Sequence, residues 1–446
     1  MPAELALCGG ETLRCMETLR VLPGKRAVMR GRWRGRSVLV KLILDTAPGR
    51  RDLGRELAGH RILQDAGITT PALLLTARCD DGSHALLFEF LDAAQRLGDL
   101  WRDRGLHPSE IAASGLGLIA RLHQKGCRHT DLHLDNFLRA DDRIYVIDGA
   151  SVEAKPIVKY GRWQRENLAL FLAQFAPPQR MPLSDALATH YPEAAVDPKL
   201  AGAIDRAWRR RKSRYLKKCF RECSEFVTRT SWRRVAVWKR ARHSAVLLSF
   251  LHNPDAWVAK GEMLKDGNSA TVVRVLMDGQ PVVIKRNNIK NLRHWWRRCL
   301  RPTRSHVNWR NAHLLKISGI TTPEPIAFTE RRVGLFRLRG YYVCAFNDFP
   351  SAAQRYASQK PTARELAQFG ELFTGLLLAQ LYHGDLKASN FLVTDKGIAL
   401  IDIDSMREAK GWSMNALKQK DRERFLKNWD DRPELQKLFS DVLNGI

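Results

Sequence analysis

The chain repeats itself. The pentapeptide Gly67-Ile68-Thr69-Thr70-Pro71 recurs letter for letter as Gly319-Ile320-Thr321-Thr322-Pro323. Downstream, the run His129-Thr130-Asp131-Leu132-His133-Leu134-Asp135-Asn136-Phe137-Leu138 is echoed by His383-Gly384-Asp385-Leu386-Lys387-Ala388-Ser389-Asn390-Phe391-Leu392. Each run is followed by an apolar strand pattern ending in aspartate, Ile144 to Asp148 and Ile398 to Asp402, and the paired aspartates stand 17 residues apart in both copies. Three blocks in the same order predict two similar domains, which agrees with 446 residues being more than one hydrophobic core usually organises.

Residues 1–204 and 255–446 are the expected domains. Between them, residues 205–254 are dense in Arg and Lys, interrupted by Trp208, Tyr215, Phe220, Phe226, Trp232 and Trp238. That irregular pattern predicts a basic helical linker. With a formal net charge of +27, the chain is expected to be drawn to something anionic. No nucleic-acid motif accompanies the charge, so nucleic acid is not the expected partner. Glu4, Glu11 and Arg14 interrupt the N-terminal apolar residues, and no apolar run approaches the ~20 residues that span a bilayer; a cytoplasmic location is expected. The eight cysteines lack zinc-ligand spacing and read as reduced thiols.

The repeated blocks carry the chemistry of phosphoryl transfer. That reaction asks a protein to hold ATP, to neutralise charge with Mg2+ and to orient an acceptor hydroxyl. In the protein-kinase arrangement a loop aspartate takes the hydroxyl proton, an asparagine five residues later holds metal, and a second aspartate after the next strand bridges metal to phosphate. Asp131, Asn136 and Asp148 fit these places in the first copy; Asp385, Asn390 and Asp402 fit them in the second. Lys387 stands where a lysine contacts the γ-phosphate, and His133 takes that place in the first copy. Upstream, Lys41 and Lys285 lie in apolar, β-branched runs, as expected of a phosphate-anchoring lysine on a strand. A hairpin around Gly267 and Ser269 would let backbone amides approach the phosphates. In the first copy the stretch Gly24 to Gly31 has fewer small residues, and Lys25, Arg26 and Arg30 either contact phosphate there or form a plain basic hairpin.

The anchoring lysine normally pairs with a glutamate on the following helix. Glu56 is suited to that role in the first copy. The offset between the two repeats places Asn308 opposite it, and no acidic residue occurs between Asp278 and Glu324. The fold expected is therefore α+β, two tandem protein-kinase-like, two-lobed domains, each with one departure from the full residue set.

On these residues the chain resembles the lipopolysaccharide core sugar kinases of Gram-negative bacteria, the Kdo/WaaP-type family related to protein kinases. The resemblance rests on the two loops, the two strand-aspartate elements, the two GITTP turns, the Lys265–Arg274 hairpin and the run after Lys285. It implies ATP-dependent phosphorylation of a heptose or Kdo hydroxyl of the inner core, on lipopolysaccharide core or its lipid-linked precursor, at the cytoplasmic face of the inner membrane. By position it implies Asp131 and Asp385 as catalytic bases, Lys41 and Lys285 as ATP anchors, and Asn136, Asp148, Asn390 and Asp402 as magnesium ligands. The tandem arrangement and Asn308 depart from single-domain members.

Neither copy shows a D-F-G or a later A-P-E, and 44 residues follow Asp402, which favours a compact acceptor over a peptide. A protein Ser/Thr/Tyr kinase would instead autophosphorylate, and a pseudokinase pair would act as a scaffold. The strip Arg286 to Arg304 sets Lys290, Arg293, Arg297, Arg298 and Arg301 beside Trp295, Trp296 and Leu300, a composition suited to an anionic membrane surface.

Overall fold

The computed structural model describes residues 4–7, 11–22, 24–103, 108–157, 159–289, 291, 295–296, 299–409 and 413–446. The chain forms two compact units, Met1–Phe175 with Gln179–Arg209, and Ala176–Pro178 with Arg210–Ile446. Both mix helices with antiparallel sheet, so the class is α+β.

In the first unit six antiparallel strands lie in the order Glu4–Leu7, Glu11–Leu22, Arg26–Trp33, Arg36–Ile43, His84–Glu89, Leu73–Arg78. Alternation in Arg36–Ile43 sends Val38, Val40 and Leu42 to one face, where they pack with Leu5, Leu13 and Met29. Leu39 belongs to the opposite face, packed with Leu53 and Leu57 of the helix Ala47–Asp65. Lys41 falls in that alternating set and meets the same helix. Thr46 caps the helix, its side chain accepting the Gly49 N–H. Gly59 lets the helix touch the turn after Asp148: a Cβ at Gly59 would lie 1.8 Å from the Gly149 carbonyl oxygen. The helical part of this unit packs Pro108–Gln124 and Arg162–Leu172 around Phe137, Phe171 and Phe175.

In the second unit the order is Phe226–Thr230, Arg234–Lys239, Pro325–Val333, Phe336–Ala345, Gln280–Asn287, Ala270–Met277, Glu262–Asp266. Five strands repeat the first unit's order from Glu11–Leu22 to Leu73–Arg78. The helix Arg304–Ile317 follows the Lys285 strand, as Ala47–Asp65 follows the Lys41 strand. Its core is aromatic, with Tyr356, Phe369, Phe391, Phe425, Trp429 and Phe439 in ring contact among the helices Ala363–Leu378, Ser413–Leu426 and Pro433–Asn444.

The helical expectation for residues 205–254 is corrected in its middle. Phe226–Thr230 and Arg234–Lys239 form a hairpin that extends the second unit's sheet, pairing with Pro325–Val333. The run Val235-Ala236-Val237-Trp238 is buried throughout, and a continuous apolar run suits a strand covered on both faces. The surrounding basic residues masked that signal, and Lys239 pairs with Glu324 instead of facing solvent. Of the basic strip after Arg286, Lys290, Arg293, Arg297 and Arg298 lie outside the described residues.

Gly59→Ala is expected to destabilise the first unit by about 1–3 kcal/mol, through forced separation of the helix from Gly149. Gly54→Ala, on the same helix with open space around it, is expected to be neutral or slightly stabilising. Thermal and urea unfolding of the two variants check both outcomes.

Candidate active site

The two loops are built from the same hydrogen bonds. His129 is fully buried, and its Nε2 donates to the Ile147 carbonyl at 3.3 Å, just before Asp148. His383 does the same to Ile401 at 3.3 Å, just before Asp402. Burial holds both imidazoles below their ordinary pKa, so each remains a neutral donor. Asn136 Nδ2 donates to the Asp131 carbonyl at 2.8 Å, and Asn390 Nδ2 to the Asp385 carbonyl at 2.9 Å. This fixes the amide orientation and leaves each Oδ1 as the acceptor end. Asp148 and Asp402 both adopt left-handed backbone, at φ 69° and 55°, which turns the chain sharply after the strand.

In the first unit the residues singled out from the sequence converge. Lys41 pairs with Glu56, which is only 2% exposed. The Glu56 carboxylate also accepts the backbone N–H of Gly149 at 3.2 Å and of Ala150 at 3.4 Å. One side chain thereby ties the lysine strand, the helix and the aspartate turn together. A cavity of about 730 Å3 is lined by Lys41, Glu56, Asn136 and Asp148, with apolar walls from Val28, Leu39, Phe88 and Leu138. Asp131 is exposed and lies outside that lining.

Arg26 is the residue the sequence named without a firm role. It stands on the strand beside Lys41 and reaches three carboxylates: Asp52 at 3.1 Å, Glu56 at 3.6 Å and Asp148 at 3.8 Å. Asp52, unnoticed in the sequence, completes this cluster one helical turn before Glu56. The signal for it was the four-residue spacing, which puts both acids on one face.

The second unit holds its lysine differently. Lys285 pairs directly with Asp402. Burial pushes the Asp402 carboxyl up, but the adjacent Lys285 cation outweighs it and holds the pKa below the ordinary value. Asn308 is buried and its Nδ2 has no hydrogen-bond partner. One turn on, Asn311 Nδ2 donates to the carbonyls of Ile403 at 2.8 Å and Met406 at 3.0 Å. Asn311 thus secures the helix to the aspartate turn where the first unit uses a bare Gly59. Arg304 faces Asp404 at 3.6 Å.

Asp385 is flanked by cations, Lys387 Nζ at 2.8 Å and Arg424 Nε at 3.5 Å. Gly267 and Ser269 sit in the hairpin turn, where Gly267 N–H donates to Ala270 and Ser269 accepts from the Asn288 N–H, each at 3.1 Å. Neither bonds Lys285 or Asp402 among the described residues, and Ser269 lines a separate small cavity with Asn287 and Thr303.

Sequence reading missed Asp421. From the helix Ser413–Leu426 its carboxylate accepts the backbone N–H of His383 at 2.7 Å and of Gly384 at 2.9 Å, suspending the loop ahead of Asp385. The first unit uses Asn167, which donates to the His129 carbonyl at 2.8 Å. Burial pushes Asp421 up to about 6 from 3.8, against the pull of those two amides. Folding therefore takes up a proton between these values. The associated stability is full below about 4 and is lost as pH rises through about 6. Between pH 7 and pH 4 the wild type is expected to gain roughly 3 kcal/mol relative to Asp421→Asn, because each tenfold difference in proton affinity is worth about 1.4 kcal/mol. Urea unfolding of both proteins at each pH checks the gain.

No curated protein matches the chain. Among solved structures, the crystal structure of BubR1 kinase domain is similar at 16% identity, covering 36% of this chain and 53% of that one with a TM-score of 0.29. The chain thus spans about half the length of that structure. Residues 249–438, all within the second unit, match the profile of the Lipopolysaccharide kinase (Kdo/WaaP) family. That match, with a lysine, an asparagine and two aspartates arranged around the loop, makes the second unit similar to the kinases of the Kdo/WaaP family.

Proposed function

We propose that the chain carries two protein-kinase-like phosphotransfer domains in tandem, residues 1–204 and residues 255–446, the latter extended by the 226–239 hairpin. It transfers the γ-phosphoryl group of ATP to a heptose or Kdo hydroxyl of lipopolysaccharide core or its lipid-linked precursor. The observation carrying this reading is the loop built twice: a buried histidine, an asparagine closed onto the catalytic-position aspartate, and an aspartate in left-handed backbone after the next strand. The family match of the second unit supports the acceptor class.

In this reading Asp131 and Asp385 take the proton of the attacking hydroxyl as its oxygen bonds to phosphorus and ADP leaves. Lys41 and Lys285 hold the phosphates, Glu56 orients Lys41, and Lys387 swings from Asp385 to the transferring group. The Gly267–Ser269 turn supplies backbone amides. Asn136 with Asp148, and Asn390 with Asp402, offer the oxygen donors that Mg2+ takes. The fit is direct at Asp148, whose Oδ1 is buried without a hydrogen-bond partner. Magnesium there would neutralise phosphate charge.

Peripheral attachment to the cytoplasmic face of the inner membrane fits the charge of +27. Among the described residues no helix is long and apolar enough to cross a membrane. Asn308 and the Lys285–Asp402 pair favour a second reading for the second unit alone, a binding domain that leaves transfer to the first.

ATP turnover on dephosphorylated core lipopolysaccharide, with product mass for wild type, Asp131→Ala and Asp385→Ala, separates the readings. Each variant is expected to lose the phosphate added at its own site, by about 100-fold or more in rate. Unchanged phosphate incorporation in the double variant would show the assigned bases to be wrong, and loss of all transfer from Asp131→Ala alone would assign catalysis to the first unit.

A further inference from the structure

We infer that one surface of the second unit, the tip of the hairpin between Pro325–Val333 and Phe336–Ala345 with two flanking tryptophans, inserts into an anionic lipid bilayer. The inference rests on the proposed membrane-bound acceptor and names the surface that meets it. Leu335 is 81% exposed, Trp232 72%, Trp296 68% and Leu300 66%, with Val333 and Phe336 also exposed. Single exposed apolar side chains are ordinary, but contiguous ones mark a binding surface.

Trp232, Trp296 and the residues of the turn adjoin one another although they come from three segments. Val333 pairs with Phe336 across a two-residue turn, and Gly334 at φ 61° gives that turn the left-handed conformation a tight hairpin needs. The Trp232 ring covers Gly334 so closely that a Cβ there would lie 2.7 Å from it, and the Trp232 carbonyl accepts the Gly334 N–H at 3.2 Å. On the other side Trp296 stacks on Phe336, ring centroids 6.4 Å apart, and the Cys299 carbonyl accepts the Arg337 N–H at 2.7 Å. Leu335 is thus held outward on a braced turn.

The rim selects the occupant. Arg233, Arg331, Arg332, Arg337 and Arg339 lie on the same strands and their turns. The acids they meet are Asp255, which faces Arg331 and Arg339, and Glu330, which faces Arg332 and Arg337. The rim stays positive. Apolar side chains with tryptophan among arginines match the boundary between anionic headgroups and acyl chains. A second copy of a chain charged +27 would meet repulsion at the same surface.

The test is co-sedimentation of the full chain with phosphatidylcholine vesicles, with and without phosphatidylglycerol, for wild type, Leu335→Ser and Trp296→Ser. Wild type should bind the phosphatidylglycerol vesicles, and each variant should bind about tenfold more weakly with unchanged thermal unfolding. Turnover of a delipidated, water-soluble core oligosaccharide should stay at the wild-type rate, so the kinase reading is tested separately from the surface. Variants that bind like wild type would overturn the proposed surface, as would wild type that ignores anionic vesicles. A shift from dimer to monomer in the variants, with vesicle binding unchanged, would assign the patch to self-association and equally overturn it.

Discussion

The hydrogen bond from a buried histidine to the carbonyl ahead of the second aspartate holds both sites together. His129 to Ile147 and His383 to Ile401 tie the catalytic-position loop to the strand that delivers Asp148 or Asp402. A loop outside regular structure has no ladder to fix it, so its shape depends on such side-chain bonds. The asparagine closes the other end by bonding the carbonyl of Asp131 or Asp385. The backbone between the two acids is thereby held at both ends in each unit.

Around this shared loop the two units solve the same contacts with different chemistry. The first joins helix to aspartate turn through Glu56 and the absence of a side chain at Gly59; the second does so through the Asn311 amide. Loss of the helix glutamate leaves Lys285 to find Asp402, and the buried Asn308 contributes no charge. In the first unit the reverse holds, with Arg26 and Lys41 placed against Asp52, Glu56 and Asp148. The better assembled lysine–glutamate pair is therefore in the unit outside the family match, and the matched unit has the rearranged one.

Near the loops, support comes from opposite polarities. Asp421 accepts amide protons from the second loop, whereas Asn167 donates to a carbonyl of the first, itself held by His123, whose Nε2 meets Asn167 at 3.0 Å. Neither support carries a repeated motif, since a helix can present either group at the required place. The apolar patch at the Gly334 turn has the same character: Trp232, Trp296 and Leu335 come from separate segments of the chain that meet at one hairpin.

What the sequence determined was the pattern set by local chemistry. The repeat, the strand lysines, the aspartate and asparagine spacing and the missing acid opposite Glu56 are all readable, because a loop closed by its own side-chain bonds constrains residues within a short stretch. The run Val235 to Trp238 was misread as helix, because burial of a strand on both faces erases the alternation that betrays it. Only the tertiary structure decided what Lys285 pairs with, where Arg26 reaches, how Asp421 suspends its loop and that Trp232, Trp296 and Leu335 share one surface. Those outcomes depend on which elements pack side by side, and side-chain partners on separate elements leave no fixed spacing to read.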